Sequence, residues 1–234
     1  MKTHTFNFNE LPQEIILNGN FDSSCKLEIS QQSLNSIKLG RLKVRINVQG
    51  GKSTIHMLNL LIKSDSGNIN IFISSNNAEV AFEKGTRGAY NLRLWNKSKV
   101  YIGNNTTSNG VRIICDNSEF ICGKDCMFSD EILIQTADQH GIVDLKKGKI
   151  INQDYRSVTL GDHVWLGRKC TLTGNSKVGT GSIIGTGAIV TNSIPQNTIA
   201  VGVPAKVIKE NHTWSRSVNN LDLFSKESIE EYKD

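Results

Sequence analysis

The chain carries five histidines, His4, His56, His140, His163 and His212. Histidine is the side chain best suited to take or return a proton near neutral pH. One of the five stands at a break in the chain's organisation. Cys122, Phe128 and Ile134 lie six residues apart, and their run ends at Thr136-Ala137-Asp138-Gln139-His140. A polar, lysine-rich excursion over 141–157 follows before regular spacing resumes at Leu160. His140 therefore sits where a loop leaves a rigid scaffold, and chemistry concentrates on such loops. Asp138 and Asp144 are both candidates to orient its ring through the second nitrogen. Asp138 is also four on from Ile134, a position expected to point inward, where a carboxylate needs a partner. His163 falls at a corner without comparable context and reads as exposed structure. No Ser–His–Asp set and no metal-ligand cluster is legible. Cys122 and Cys126 lack a matching second pair and read, with Cys170, as buried free thiols.

These residues are positioned by a repeat. Counting in sixes from Leu160 gives Leu166, Leu172, Val178, Ile184 and Val190, and glycines 161, 167, 179 and 185 follow four of them directly. Four residues on from each stand Val164, Cys170, Ser176, Ser182, Ala188 and Ile194, compact in all but the last case. Period six fits neither a 3.6-residue stripe nor a simple alternation. It suits a chain that runs straight, turns a corner and repeats, with three sides to a coil and stacked coils sharing one core. A slower rhythm of twenty runs through Ile62, Phe82, Ile102 and Cys122, with Ser66, Thr86, Thr106 and Cys126 four on. A three-sided coil of hexads needs eighteen, so these coils carry enlarged corners. Residues 1–60 lack the signal. Alternation at Leu42, Val44, Ile46 and Val48, then Gly50-Gly51 as a tight turn, predicts a small β-rich cap over the open end. The stretch 209–234 reads as a polar tail with a short terminal helix.

The pattern aliphatic-Gly-x-x-small-x resembles that of the hexapeptide-repeat acyltransferases. Gly161-Asp162-His163-Val164-Trp165-Leu166-Gly167 looks like the coil that opens their CoA-binding part, and Gly202-Val203-Pro204-Ala205-Lys206 like the loop that closes it. Thr136–His140 is similar to the segment bearing the catalytic histidine in sugar O-acetyltransferases of this family. The resemblance implies an all-β left-handed parallel β-helix over 61–208, a homotrimer with sites between subunits, and acetyl-CoA as donor without a metal. His140 would deprotonate a hydroxyl of a capsule, O-antigen or sialic-acid-type glycan, and the imidazolium would return a proton to the leaving thiolate. Trp165 turns outward by alternation, and the resemblance makes it a wall of the acetyl or acceptor site; packing between subunits is the competing role. Trp95 either stacks on a sugar ring or packs between subunits. For CoA the resemblance points to Gly167, Arg168, Thr186, Thr191, Asn192 and, for the 3′-phosphate, Lys206 and Lys209. Relatives often have lysine where this chain has Asn192, so one phosphate contact is expected to be missing.

The net charge of +5 and a pI near 8.9 are a mild bias, in keeping with an anionic ligand such as CoA or an acidic glycan. Nucleic acid is disfavoured, since no dense basic run or aromatic–basic interleaving occurs. No run of 18 apolar residues and no apolar leader is present, which predicts a soluble, cytoplasmic protein. Two other activities remain open. An N-acetyltransferase of amino-sugar nucleotides is disfavoured because no Gly-x-Gly-x-x-Gly opens the chain. A non-catalytic β-helix binding protein is the other.

Overall fold

The computed structural model describes residues 2–48 and 54–231. The expected turn at Gly50-Gly51 and the end of the tail at Tyr232 lie outside them. From residue 127 onward the chain winds through three faces. On the first face, Met127–Phe128, Trp165–Leu166, Ile183–Ile184 and Thr198–Val201 stack in parallel. The second carries Ile132–Gln135, Thr171–Thr173 and Ile189–Val190. The third carries Arg156–Leu160, Lys177–Val178 and Ser193–Ile194. This is the left-handed parallel β-helix.

The hexads are explained by this winding. Leu160, Leu166, Leu172, Val178, Ile184 and Val190 are all buried, and so are Val164, Cys170, Ser176, Ser182, Ala188 and Ile194. The glycines follow from how closely coils approach. A Cβ on Gly161 would lie 2.6 Å from the backbone nitrogen of Thr180, and one on Gly167 2.7 Å from the carbonyl of Ile184. Any larger residue there would push two coils apart.

The twenty-residue rhythm corresponds to longer strands. Arg87–Ile102 and Thr107–Cys122 pair along most of two faces, with register shifts at Gly88/Tyr90 and Trp95/Ser98 that take up the extra residues. Ile62, Phe82, Ile102 and Cys122 stand in register, each over the next. The corner below Ile62 differs from expectation. Ser64, not Ser66, is the buried residue, and its hydroxyl bonds that of Thr86 at 2.6 Å.

The amino-terminal segment also departs from the expected division at residue 60. Ile16–Asn18 pairs in parallel with Leu42–Val48, and Lys26–Ser30 with Leu58–Ile62. The parallel stack thus reaches back into the stretch expected to be cap. Its strands alternate freely without hexads because they run longer between corners, which leaves no period of six to read. The covering elements are smaller. Thr3–Asn7 closes the edge antiparallel to Lys26–Ser30, and helix α1 (Gln31–Lys38), capped by Ser30, buries Leu34 and Ile37. At the other end Lys206–Glu210 pairs antiparallel with Thr198–Val201, and helix α2 (Leu223–Glu231) ends the described chain. No described helix is long and apolar enough to cross a membrane.

Candidate active site

The excursion over 141–157 leaves the corner between the second and third faces, just past Ile132–Gln135. Thr136 is the last inward residue there, its hydroxyl bonded to the Ser118 hydroxyl and to the Ile114 carbonyl. The coil's phase therefore ends two residues earlier than the hexad count implies. Asp138 accordingly points outward, not inward, and its carboxylate accepts from Arg156 Nη1 at 2.9 Å and Asn152 Nδ2 at 3.0 Å.

Asn152 ties the loop's two stems together. Its amide donates to the His140 carbonyl at 2.9 Å as well as to Asp138, while its oxygen accepts from the Ile142 N–H at 2.8 Å. The chain Arg156–Asp138–Asn152 thereby fixes the backbone at His140. Neither candidate carboxylate orients the imidazole itself. Asp144 lies in the hairpin of Val143–Asp144 and Lys149–Ile150, where it accepts from the amides of Lys146 and Lys147. The His140 ring is exposed and makes no hydrogen bond among the described residues. It opens on a cleft of about 310 Å³, whose lining includes Asp116, Asn117 and Asn152. Trp95 lies one coil away, half-buried, paired in register with Asp116 and not in the lining.

Trp165 is on the first face, half-buried, with Nε1 donating to Ser129 Oγ at 3.4 Å. It lines a second cleft of about 600 Å³ with Met127, Ile183 and residues of the carboxyl-terminal tail. His140 and Trp165 thus belong to different sides of one prism, and the two clefts share no lining residue.

The residues expected to hold a cofactor fall into two groups. Gly167, Arg168 and Thr186 stack at the corner between the first and second faces, where the Gly187 amide donates to the Arg168 carbonyl at 2.8 Å. Lys206 emerges beside them after the turn at Gly202, paired with Val201, while Lys209 pairs with Ile199 further along the first face. Both lysines are exposed. Thr191 and Asn192 stand at the other end of the second face, bonded to each other at 3.3 Å. Gly167 is buried, and its lack of a side chain has the packing reason already given. Arg168 donates to Asp130 at 2.6 Å, a hydrogen bond that holds the Asp130 carboxyl below its usual range.

His163 departs most from expectation. It occupies a corner, in left-handed backbone (φ 51°), but it is fully buried rather than exposed. The sequence signal that was available is Trp214 and Phe224, aromatics in a mostly polar tail. All five cysteines are buried and free, and burial pushes the Cys170 thiol up to about 11, which makes it a poor nucleophile.

No family model matches the chain. It is 32% identical over 129 residues to the polysialic acid O-acetyltransferase of Escherichia coli O1:K1 / APEC, covering 55% of this chain and 41% of that protein. It is 29% identical over 148 residues to the putative lipopolysaccharide biosynthesis O-acetyl transferase WbbJ of Escherichia coli K12, covering 58% of this chain and 75% of the relative. The chain thus spans less than half of the first relative's length. Among solved structures, the polySia-specific acetyltransferase NeuO superposes with a TM-score of 0.73 at 23% identity, over 92% of this chain and 93% of that one. At that identity the likeness establishes the fold. Taken with the hexads and the coil geometry, these likenesses show the left-handed β-helix fold and a similarity in sequence to bacterial O-acetyltransferases.

Proposed function

We propose that this chain is an O-acetyltransferase that moves an acetyl group from acetyl-CoA to a hydroxyl of a bacterial surface glycan, with His140 as general base. The observation that carries the reading is the His140 loop. An imidazole without a hydrogen bond among the described residues, on a backbone fixed by Asn152, faces an open cleft. A base must reach its substrate's proton, and a ring already saturated by protein partners could not. The acceptor hydroxyl gives its proton to His140 as its oxygen attacks the acetyl carbonyl. The C–S bond then breaks, and the thiolate takes the proton back. The glycan acceptor is suggested by the relatives, whose names refer to polysialic acid and lipopolysaccharide.

The separation of His140 from Trp165 within one chain supports a site completed between copies. In a cyclic trimer, the loop of one subunit would meet the Trp165 face of the next. Asn91 Oδ1 and Arg93 Nε, on the outer surface of the second face, are buried without a hydrogen-bond partner among the described residues, which favours a contact that supplies one. CoA would then lie along the corner of Gly167, Arg168, Thr186 and Lys206, its 3′-phosphate paired with lysine.

The test is a panel of purified glycans incubated with the protein and labelled acetyl-CoA. Base-labile ester label on a glycan supports the reading. Label on an amine would make the chain an N-acetyltransferase. An absence of acetyl-CoA binding by calorimetry would leave a binding protein.

A further inference from the structure

The densest set of contacts that the proposed chemistry does not use surrounds His163. Trp214 stacks on its ring at 4.1 Å between centroids and 8° between planes, and Phe224 at 4.0 Å and 17°. Two rings that close and that parallel must cover opposite faces of the imidazole. Its edges are taken too. Nδ1 lies 2.7 Å from Asp125 Oδ2 and Nε2 2.9 Å from the Trp214 carbonyl, so both ring nitrogens face acceptors. The Trp214 indole N–H donates back to the His163 carbonyl at 2.8 Å.

Neighbouring contacts extend the same clamp. Arg216 donates from Nε to Asp125 at 2.8 Å, from Nη1 to Thr107 at 3.1 Å, and from Nη2 to the carbonyls of Asn105, Asp125 and Cys126. Burial works to raise the Asp125 carboxyl, but the hydrogen bonds from His163 and Arg216 outweigh it and hold the group below its usual range. Asp222 caps helix α2 at the Ser225 amide and also accepts from the Arg216 amide, both at 2.8 Å. The coil does not need these contacts, since Val164 and Leu166 fill its core at this level as they do elsewhere. They fix the tail.

The fixed tail makes one wall of the 600 Å³ cleft over Trp165. The floor is apolar (Met127, Trp165, Ile183), and the rim of the tail wall itself carries Ser217, Asn219 and Asn220. That combination suits a pyranose ring, with its apolar face on the indole and its hydroxyls toward the rim. Arg216 lines the cleft, but its guanidinium is engaged with Asp125, Thr107 and backbone carbonyls, so it is not offered to a ligand carboxylate.

We infer that His163 is the positioning residue of this cleft. Stacked between Trp214 and Phe224 and bonded to Asp125, it holds residues 213–222 as the wall that seats a sugar ring of the acceptor on Trp165. The identity of the ligand rests on the proposed function; the latch does not.

The test is His163→Asn, since asparagine tolerates left-handed backbone but supplies no ring. Two quantities are read: amide hydrogen exchange along the chain, and steady-state kinetics with acetyl-CoA and a glycan acceptor found in the panel. Exchange in 213–222 should quicken by at least about tenfold while the coil over 156–200 is unchanged. KM for the acceptor should rise about tenfold, with kcat and the KM for acetyl-CoA near wild type. Unchanged exchange in 213–222 overturns the latch. An equal loss in kcat and in both KM values overturns the positioning role. Should His163→Asn fail to fold, Phe224→Ala uncovers one face of the ring and carries the same expectations. Exchange needs no turnover, so a wild type that acetylates nothing would refute the proposed function and still leave the latch decided.

Discussion

Two histidines, 23 residues apart in sequence, have opposite surroundings. His140 is exposed, its ring makes no hydrogen bond among the described residues, and only its backbone is held, through Asn152. His163 is buried, covered on both ring faces and facing an acceptor at each nitrogen. A ring must be uncommitted to move a proton and committed to hold a structure. The contrast supports the proposal of chemistry at the loop and architecture at the corner, although both residues follow an aspartate by two positions or fewer (Asp138 and Asp162).

The largest expected effect tests that assignment. General-base catalysis supplies about 10²–10⁴ in rate. His140→Ala should therefore lower acetyl transfer at least about a hundredfold, while the melting temperature and CoA affinity stay put. His163→Asn should keep kcat within a few-fold and change the tail instead. Kinetics and thermal melts of the two variants side by side decide it, and the reverse pattern would exchange the two roles.

The hexads from Leu160 to Ile194 with their inward residues, the outward Trp165 and the departure of the loop after His140 were legible, because each depends on spacing within a few residues. The amino-terminal coils were not, since strands such as Leu42–Val48 run straight too long to show a period of six. The roles of Asp138 and His163 were also hidden. Asp138 turns outward because Thr136 closes the coil early, bonding the Ser118 hydroxyl across coils. His163 is buried by Trp214 and Phe224, 51 and 61 residues later, and no local pattern reports a contact of that reach. Cofactor and glycan rested on resemblance alone.

The next effect concerns a corner that uses no histidine. If Lys206 and Lys209 pair with the 3′-phosphate, replacing both by alanine should cost about 1.5–3 kcal/mol of CoA affinity, or roughly ten- to hundredfold. Dephospho-CoA should be far less affected in the same calorimeter. Equal losses for both ligands would place the lysines elsewhere.

A smaller effect would show that the His140 loop works through its backbone. Asn152→Ala removes the bonds to Asp138, the His140 carbonyl and the Ile142 amide. Turnover should fall about tenfold with CoA affinity retained, in line with a loop loosened by roughly 1–3 kcal/mol. Full activity would mean that the Arg156–Asp138 pair suffices.

The smallest effect comes from a histidine between the two extremes. His56 is half-exposed, and Asp22 takes its Nδ1 at 2.5 Å. The Ser24 hydroxyl bond, followed by that of His56, lowers the Asp22 carboxyl from 3.8 to about 2. A folded-state value below the unfolded one gives stability that is complete above pH 4 and is lost as pH falls toward 2. Denaturant titrations between those limits should show a shallower loss for Asp22→Asn than for wild type. An identical slope would mean that the pair does not contribute.

The central claim is that the His140 loop and the Trp165 face are two halves of one site, brought together only between copies. Its most direct test is co-assembly of two impaired variants, His140→Ala and Trp165→Ala, co-expressed in equal amounts and purified by a tag on each. In a cyclic trimer of either mixed composition, about a third of the shared sites (one of the three) would then pair an intact His140 loop with an intact Trp165 face. Mixed trimers should thus recover about a third of wild-type acetyl transfer, far above either variant alone. Activity no higher than the mean of the two variants would contradict the account and return both residues to sites within a single chain.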